Sequence, residues 1–121
     1  MKIIFDFVTN SSSTSFSCYG IDIEETDFIK VYNKFHPESN VQPDNTYEYA
    51  DELDQAIETF SNELGLECWW DSGLETIYFG EQWSDIKDNE TGKEFKEKIQ
   101  GKVSLRFPDQ KCYSITETIE N

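Results

Sequence analysis

Between Phe35 and Ile86 the chain carries thirteen carboxylates and no lysine or arginine. Paired Asp and Glu can hold a hard cation or act as general acid and base. A cation-binding loop alternates acids with a glycine over a short stretch. The acids of "DNTYEYADELD" follow a helical pattern instead, and Asp109-Gln110-Lys111 with an upstream acid is a nuclease-like match of a kind frequent by chance. The run Asn10-Ser11-Ser12-Ser13-Thr14-Ser15 offers hydroxyls, but a phosphate cradle wants glycines and a following lysine, which this run lacks. It reads as a polar surface turn, or as a loop at Asn10, Ser11, Ser12 and Ser13 that binds a ligand or is modified. A nucleophilic serine needs a base within reach. The sole histidine, His36, stands beside Pro37 at a predicted helix end.

Three cysteines, Cys18, Cys68 and Cys112, are widely spaced and form no CxxC pair. They read as reduced, mostly buried thiols. A zinc site would need all three with His36, without the close ligand pairs such sites use. These residues therefore assign no catalytic group, no metal ligand and no cofactor. What remains is charge. Residues 1–34 hold five acids and three bases, and residues 87–121 hold seven of each, so nearly all of the formal net charge of −15 arises in the middle stretch. A field of one sign repels nucleic acid and anionic membrane and attracts basic surfaces.

The richest segment is a predicted helix. Its acids Glu48, Asp51, Glu52, Asp54, Glu58 and Glu63 lie outside or beside the apolar stripe, several of them three or four residues apart. Each like-charged pair at that spacing costs a few tenths of a kcal/mol in an isolated helix, roughly 0.2–0.5. An ordinary solvated face mixes signs. The helix from Glu48 to Glu63 spans about 24 Å, or roughly 4 Å of axis per acid. One strand of B-DNA spends about 3.4 Å per phosphate. The match is coarse, but a groove built for nucleic acid could accept such a surface. The sequence expectation is a partner-binding surface made of Glu48, Asp51, Glu52, Asp54 and Glu58, with Glu67, Asp71 and Glu75 adding to the field. Trp69 or Trp70 would supply an apolar anchor, since adjacent strand residues point to opposite faces and one of the two could stay partly exposed.

The elements that would position these groups follow from periodicity. Residues 2–8 and 15–21 read as strands around the serine-rich turn. Asp22 followed by Glu25 has capping-box spacing and opens a predicted helix with apolar Phe28, Ile29, Val31, Tyr32 and Phe35, which Pro37 stops. Asn45 with Glu48 repeats the signature. Apolar residues then recur at Tyr49, Ala50, Leu53, Ala56, Ile57, Phe60 and Leu64, and Gly65 stands at the position of a left-handed cap. Residues 66–70 and 74–79 read as strands around Asp71-Ser72-Gly73. Thr91 with Glu94 starts a third helix that Gly101 would end. Residues 102–107 and 111–119 alternate like strands around Pro108-Asp109. The pattern predicts one α+β domain over residues 1–121, with an antiparallel sheet of short hairpins and about three helices packed on one face.

The opening "FDFVTNSSSTSF" resembles that of a family of small, uncharacterised bacterial and phage proteins whose N-terminus reads Phe-Val-(Thr/Ser)-Asn followed by a serine run and Phe. Here Phe7 to Phe16 carry the pattern, with Thr14 in place of one serine. Residues 77–99, "IYFGEQWSDIKDNETGKEFKEKI", are similar to the later part of many of those chains. The family brings no established activity and no known catalytic residues. No secretory signal or transmembrane stretch is visible, so the expectation is a cytoplasmic protein of a bacterial host cell. In size and charge, though not in any motif, the chain resembles phage-encoded inhibitors of host defence nucleases, including anti-CRISPR proteins. The sequence reading is thus a non-enzymatic inhibitor acting on a basic, nucleic-acid-handling protein, with no direct nucleic acid or membrane partner. The alternatives are a small-ligand protein or enzyme using the serine-rich loop, or an accessory phage protein without a dedicated site.

Overall fold

The computed structural model describes residues 13–43, 47–71 and 75–120. The predicted strand over residues 2–8, the positions Asn10, Ser11 and Ser12, the helix start at Asn45 and the turn at Ser72-Gly73 lie outside them. The described elements run β1 (Ser13–Glu24), α1 (Glu25–Phe35), α2 (Tyr47–Leu64), β2 (Glu67–Asp71), β3 (Thr76–Gln82), a short 3-10 turn (Trp83–Asp85), α3 (Gly92–Val103) and β4 (Tyr113–Glu120). The four strands form one antiparallel sheet in the order β2-β3-β1-β4, so the fold is α+β with helices packed on a sheet.

Alternation along the strands places a buried cluster on each face of the sheet. In β1, Ile21 pairs with Phe79 and Ile23 with Ile77. These four join Cys68 and Trp70 of β2 in the main core, against Phe28 and Ile29 of α1, Leu53, Ile57 and Phe60 of α2, and Phe95 and Ile99 of α3. The other face buries Phe16, Cys18, Trp69, Tyr78 and Ile115. Phe16 stacks on Trp69 with ring centroids 4.6 Å apart.

Three expectations are corrected. Asp22 does not cap a helix. β1 continues through Glu24, and α1 starts without a side-chain cap. Ile21 and Ile23 hold the segment extended by pairing with β3, and Asp22 instead accepts a hydrogen bond from the Tyr113 hydroxyl across the sheet. Ser13 and Thr14 belong to β1 rather than to a loop. Gly101 does not end α3 and residues 102–107 are not a strand. Phe95, Ile99 and Val103 are spaced four apart, all fully buried, and carry the helix past Gly101 to Val103. The chain then turns, with Phe107 N–H donating to the Val103 carbonyl at 2.8 Å. The start of α3 is as read. Thr91 and Glu94 form a complete capping box.

Candidate functional site

The acidic surface is built on α2. Leu53, Ala56, Ile57, Phe60 and Leu64 turn inward and are buried, which turns the opposite arc of the helix outward. Gly65, at φ +69°, closes the helix, and its N–H donates to the Ser61 carbonyl at 2.9 Å. Ser61 is buried and its hydroxyl donates to the Leu66 carbonyl, which fixes how α2 turns into β2. Tyr49 donates to Glu25 Oε2 at 2.9 Å and ties α2 to α1.

On the outward arc, Asp51, Asp54 and Glu58 succeed one another at intervals of three and four and share one flank. Glu48 and Glu52, four apart, lie farther round. Glu48, Asp51, Glu52 and Glu58 are exposed, while Asp54 is half-buried. None of these five has an ion-pair partner among the described residues. Asp54 registers the crowding: burial pushes its carboxyl above the usual range, and the charges of Glu58 and Asp51 push it further. The field crosses to β2. Burial raises the Cys68 thiol to about 12 against the opposing Ser61 hydrogen bond, and Asp54, Glu58 and Glu67 all add to the rise. Three of the expected acids from two elements are thus close enough to act on one buried thiol.

Other acids of the stretch are compensated. Glu63 Oε1 stands 3.3 Å from Arg106 Nε, and its Oε2 stands 2.8 Å from His36 Nε2. Glu81 lies 3.6 Å from both Lys98 and Lys102, and Glu90, beyond the stretch, lies 3.1 Å from Lys98. The C-terminal bases therefore fold over one edge of the acidic region and leave the α2 flank uncovered. No local signal announces these pairs, since Arg106 and Glu63 are 43 residues apart.

The remaining expected site residues divide. Glu75 is exposed in the turn before β3, at φ +55°, and its carbonyl accepts from Glu25 N–H. Asp71 ends β2 opposite Thr76. Trp69 and Trp70 do point to opposite faces, but neither can serve as a surface anchor: they are 0% and 5% exposed, Trp70 within the main core and Trp69 within the cluster of Phe16, Cys18, Tyr78 and Ile115 on the other face. Ser15 and Ser17 lie across from Thr118 and Thr116, at 3.1 and 3.3 Å between hydroxyls. With Gln82, Trp83 and Ser84, Ser15, Ser17 and Thr116 line a shallow cleft.

The cysteines are free thiols. Burial raises Cys18 to about 12 and Cys112 to about 11, so all three are poor nucleophiles at neutral pH. Among the described residues no group of His, Cys, Asp and Glu is arranged to hold a metal ion. His36 has Glu38 at 3.5 Å and Glu63 at 2.8 Å and stacks on Tyr32, so its ring nitrogens face carboxylates rather than a serine. Among the described residues no helix is long and apolar enough to cross a membrane. No protein-family model, curated protein or solved structure matches the chain.

Proposed function

We propose that the protein is a small acidic inhibitor that occupies the cationic groove of a nucleic-acid-handling protein, in the manner of a phage anti-defence or anti-CRISPR-like nucleic-acid mimic. The observation that carries the reading is the sorting of charge. Glu63, Glu81 and Glu90 are met by bases, whereas Glu48, Asp51, Glu52, Asp54 and Glu58 have none among the described residues. A surface kept for solubility has no need to leave its most crowded helix uncompensated. The contact surface comprises those five acids with Glu67, Asp71 and Glu75. Charge of this kind chiefly steers encounter, and the few contacts that lose water set the lifetime of the complex.

The test is capture of partners from bacterial host lysate at low salt, followed by reversal of Glu48, Asp51, Glu52 and Glu58 to lysine. The variant keeps its helical circular dichroism and loses both capture and inhibition, and capture by the parent weakens steeply as salt rises. Capture that ignores both the reversals and the salt would end the reading. A second reading, a small-ligand protein working near the serine-rich segment, is favoured by the hydroxyl-lined cleft beside Trp83. It predicts that Ser15→Ala with Ser17→Ala abolishes function while the α2 reversals leave it intact.

A further inference from the structure

Only three large apolar side chains are markedly exposed among the described residues, and two of them share one groove. Phe35, 41% exposed, and Leu105, 57% exposed, stand on either side of an open groove of about 320 Å³, with Val31 and Phe107 beneath. Its wall is held in place: the Arg106 guanidinium lies 4.5 Å from the Phe35 ring centroid, its Nε faces Glu63, and its Nη1 donates to the Leu105 carbonyl at 3.1 Å. A fixed arginine beside an exposed aromatic ring is the composition of an interface core. The groove lies between α1 and the turn after α3, and among the described residues no acid of residues 35–86 lines it.

The charges at the groove identify the occupant. Its lining carries two acids, Asp27 and Asp109, and two bases, Lys34 and Arg106. A cationic partner would meet Lys34 and Arg106, and an acidic peptide would meet Asp27 and Asp109. A patch carrying both signs around an apolar centre is complementary to itself, as a two-fold contact requires: where one residue of the first copy meets a second residue of the other copy, that second residue in the first copy meets the first residue in the other. We propose that this groove is the contact face of a homodimer, with Phe35 and Leu105 of each copy closing on the other and Lys34 of each copy meeting Asp27 or Asp109 of the other, while Arg106 stays on Glu63 of its own chain. The contact leaves the α2 acids outside it, so the proposal does not rest on the inhibitor reading.

The two proposals respond to salt in opposite directions. Two copies that each carry a formal −15 repel at long range, and salt screens that repulsion while leaving apolar burial in place. Sedimentation equilibrium of the full chain from micromolar to millimolar concentration should show a monomer–dimer equilibrium that tightens as sodium chloride is added. Leu105→Glu, at an exposed position the fold tolerates, should raise the dimer dissociation constant about tenfold or more. Lys34→Glu and the double variant Asp27→Lys with Asp109→Lys should each weaken the homodimer, and mixing the two proteins should restore association as a heterodimer. A monomer at every concentration and salt overturns the proposal. So does a dimer indifferent to Leu105→Glu, or a mixture of the charge variants that stays monomeric. Loss of the dimer with inhibition intact, or of inhibition with the dimer intact, tells the failure of one proposal from that of the other.

Discussion

Asp54 is the residue at which the crowding of like charge can be measured. Burial, then Glu58, then Asp51 raise its carboxyl pKa in the folded protein above the unfolded value. The sign follows from proton linkage. Between the two pKa values the folded state binds more proton than the unfolded state, so stability falls as pH rises through that window, and the whole cost is present at neutral pH. Asp54→Asn should therefore stabilise the protein at about pH 7, by about 0.5 kcal/mol once solvent screening is allowed for. The advantage should vanish as pH falls below the carboxylate range, near about pH 4. Urea denaturation of both proteins across that interval checks it. A variant that is less stable at neutral pH would show that Asp54 has a favourable partner. Glu90 gives the contrast. The Lys87 backbone N–H, followed by the Lys98 side chain, holds its carboxyl below the usual range, so its contribution is present above the unfolded pKa and is lost as pH falls through the folded one. The two acids carry the same group and are distinguished only by what the fold brings beside them.

At the scale of elements, the strongest constraint is where β1 and β3 meet. Gly20 pairs with Gly80, and a Cβ on Gly20 would stand 2.0 Å from the Phe79 carbonyl oxygen, while one on Gly80 would stand 2.4 Å from that of Tyr19. Backbone cannot step aside as a side chain can. Gly20→Ala and Gly80→Ala should each cost about 3 kcal/mol, the upper end for overpacking, read as a fall in the thermal midpoint. A midpoint within a degree or two of the parent would mean that the strands can separate locally. Neither glycine declared itself in the sequence, because the role of each depends on the other, 60 residues away. Elements governed by local spacing were legible: the apolar stripe of α2 with Gly65 after it, and the Thr91 box that starts α3. Elements decided by distant pairing were not. Ile21 and Ile23 drew Asp22 into β1, and the buried run Phe95, Ile99 and Val103 drew Lys102 and Val103 into α3. The same division holds at the acidic surface. The Asp51-Asp54-Glu58 stripe follows from helical periodicity, whereas the cover over Glu63 and Glu81 by Lys98, Lys102 and Arg106 depends on how α3 packs against the rest.

For the whole molecule, two electrostatic effects oppose each other. The ion pairs around Lys98, Lys102 and Arg106 weaken when salt is added. The mutual repulsion of a chain with 25 acids and 10 bases weakens too, and its loss is stabilising. The pairs are at least partly open to solvent, and such pairs contribute about 0–1 kcal/mol each, often nothing measurable. Repulsion acts over every uncompensated acid and is strongest along α2, where successive acids stand three or four residues apart without bases between them. Repulsion should win. The urea midpoint should rise with sodium chloride, urea being chosen because guanidinium would itself screen the charges. Lysines in place of Glu48, Asp51, Glu52 and Glu58 should raise the midpoint at low salt and flatten its salt dependence, since they roughly halve the net charge where it is densest. A parent midpoint that falls with salt would show that the ion pairs dominate and that the α2 flank exerts no net strain. Should the reversed protein fold more tightly and yet no longer hold its partner, the four acids would be a surface that costs the fold stability and is retained for what it binds.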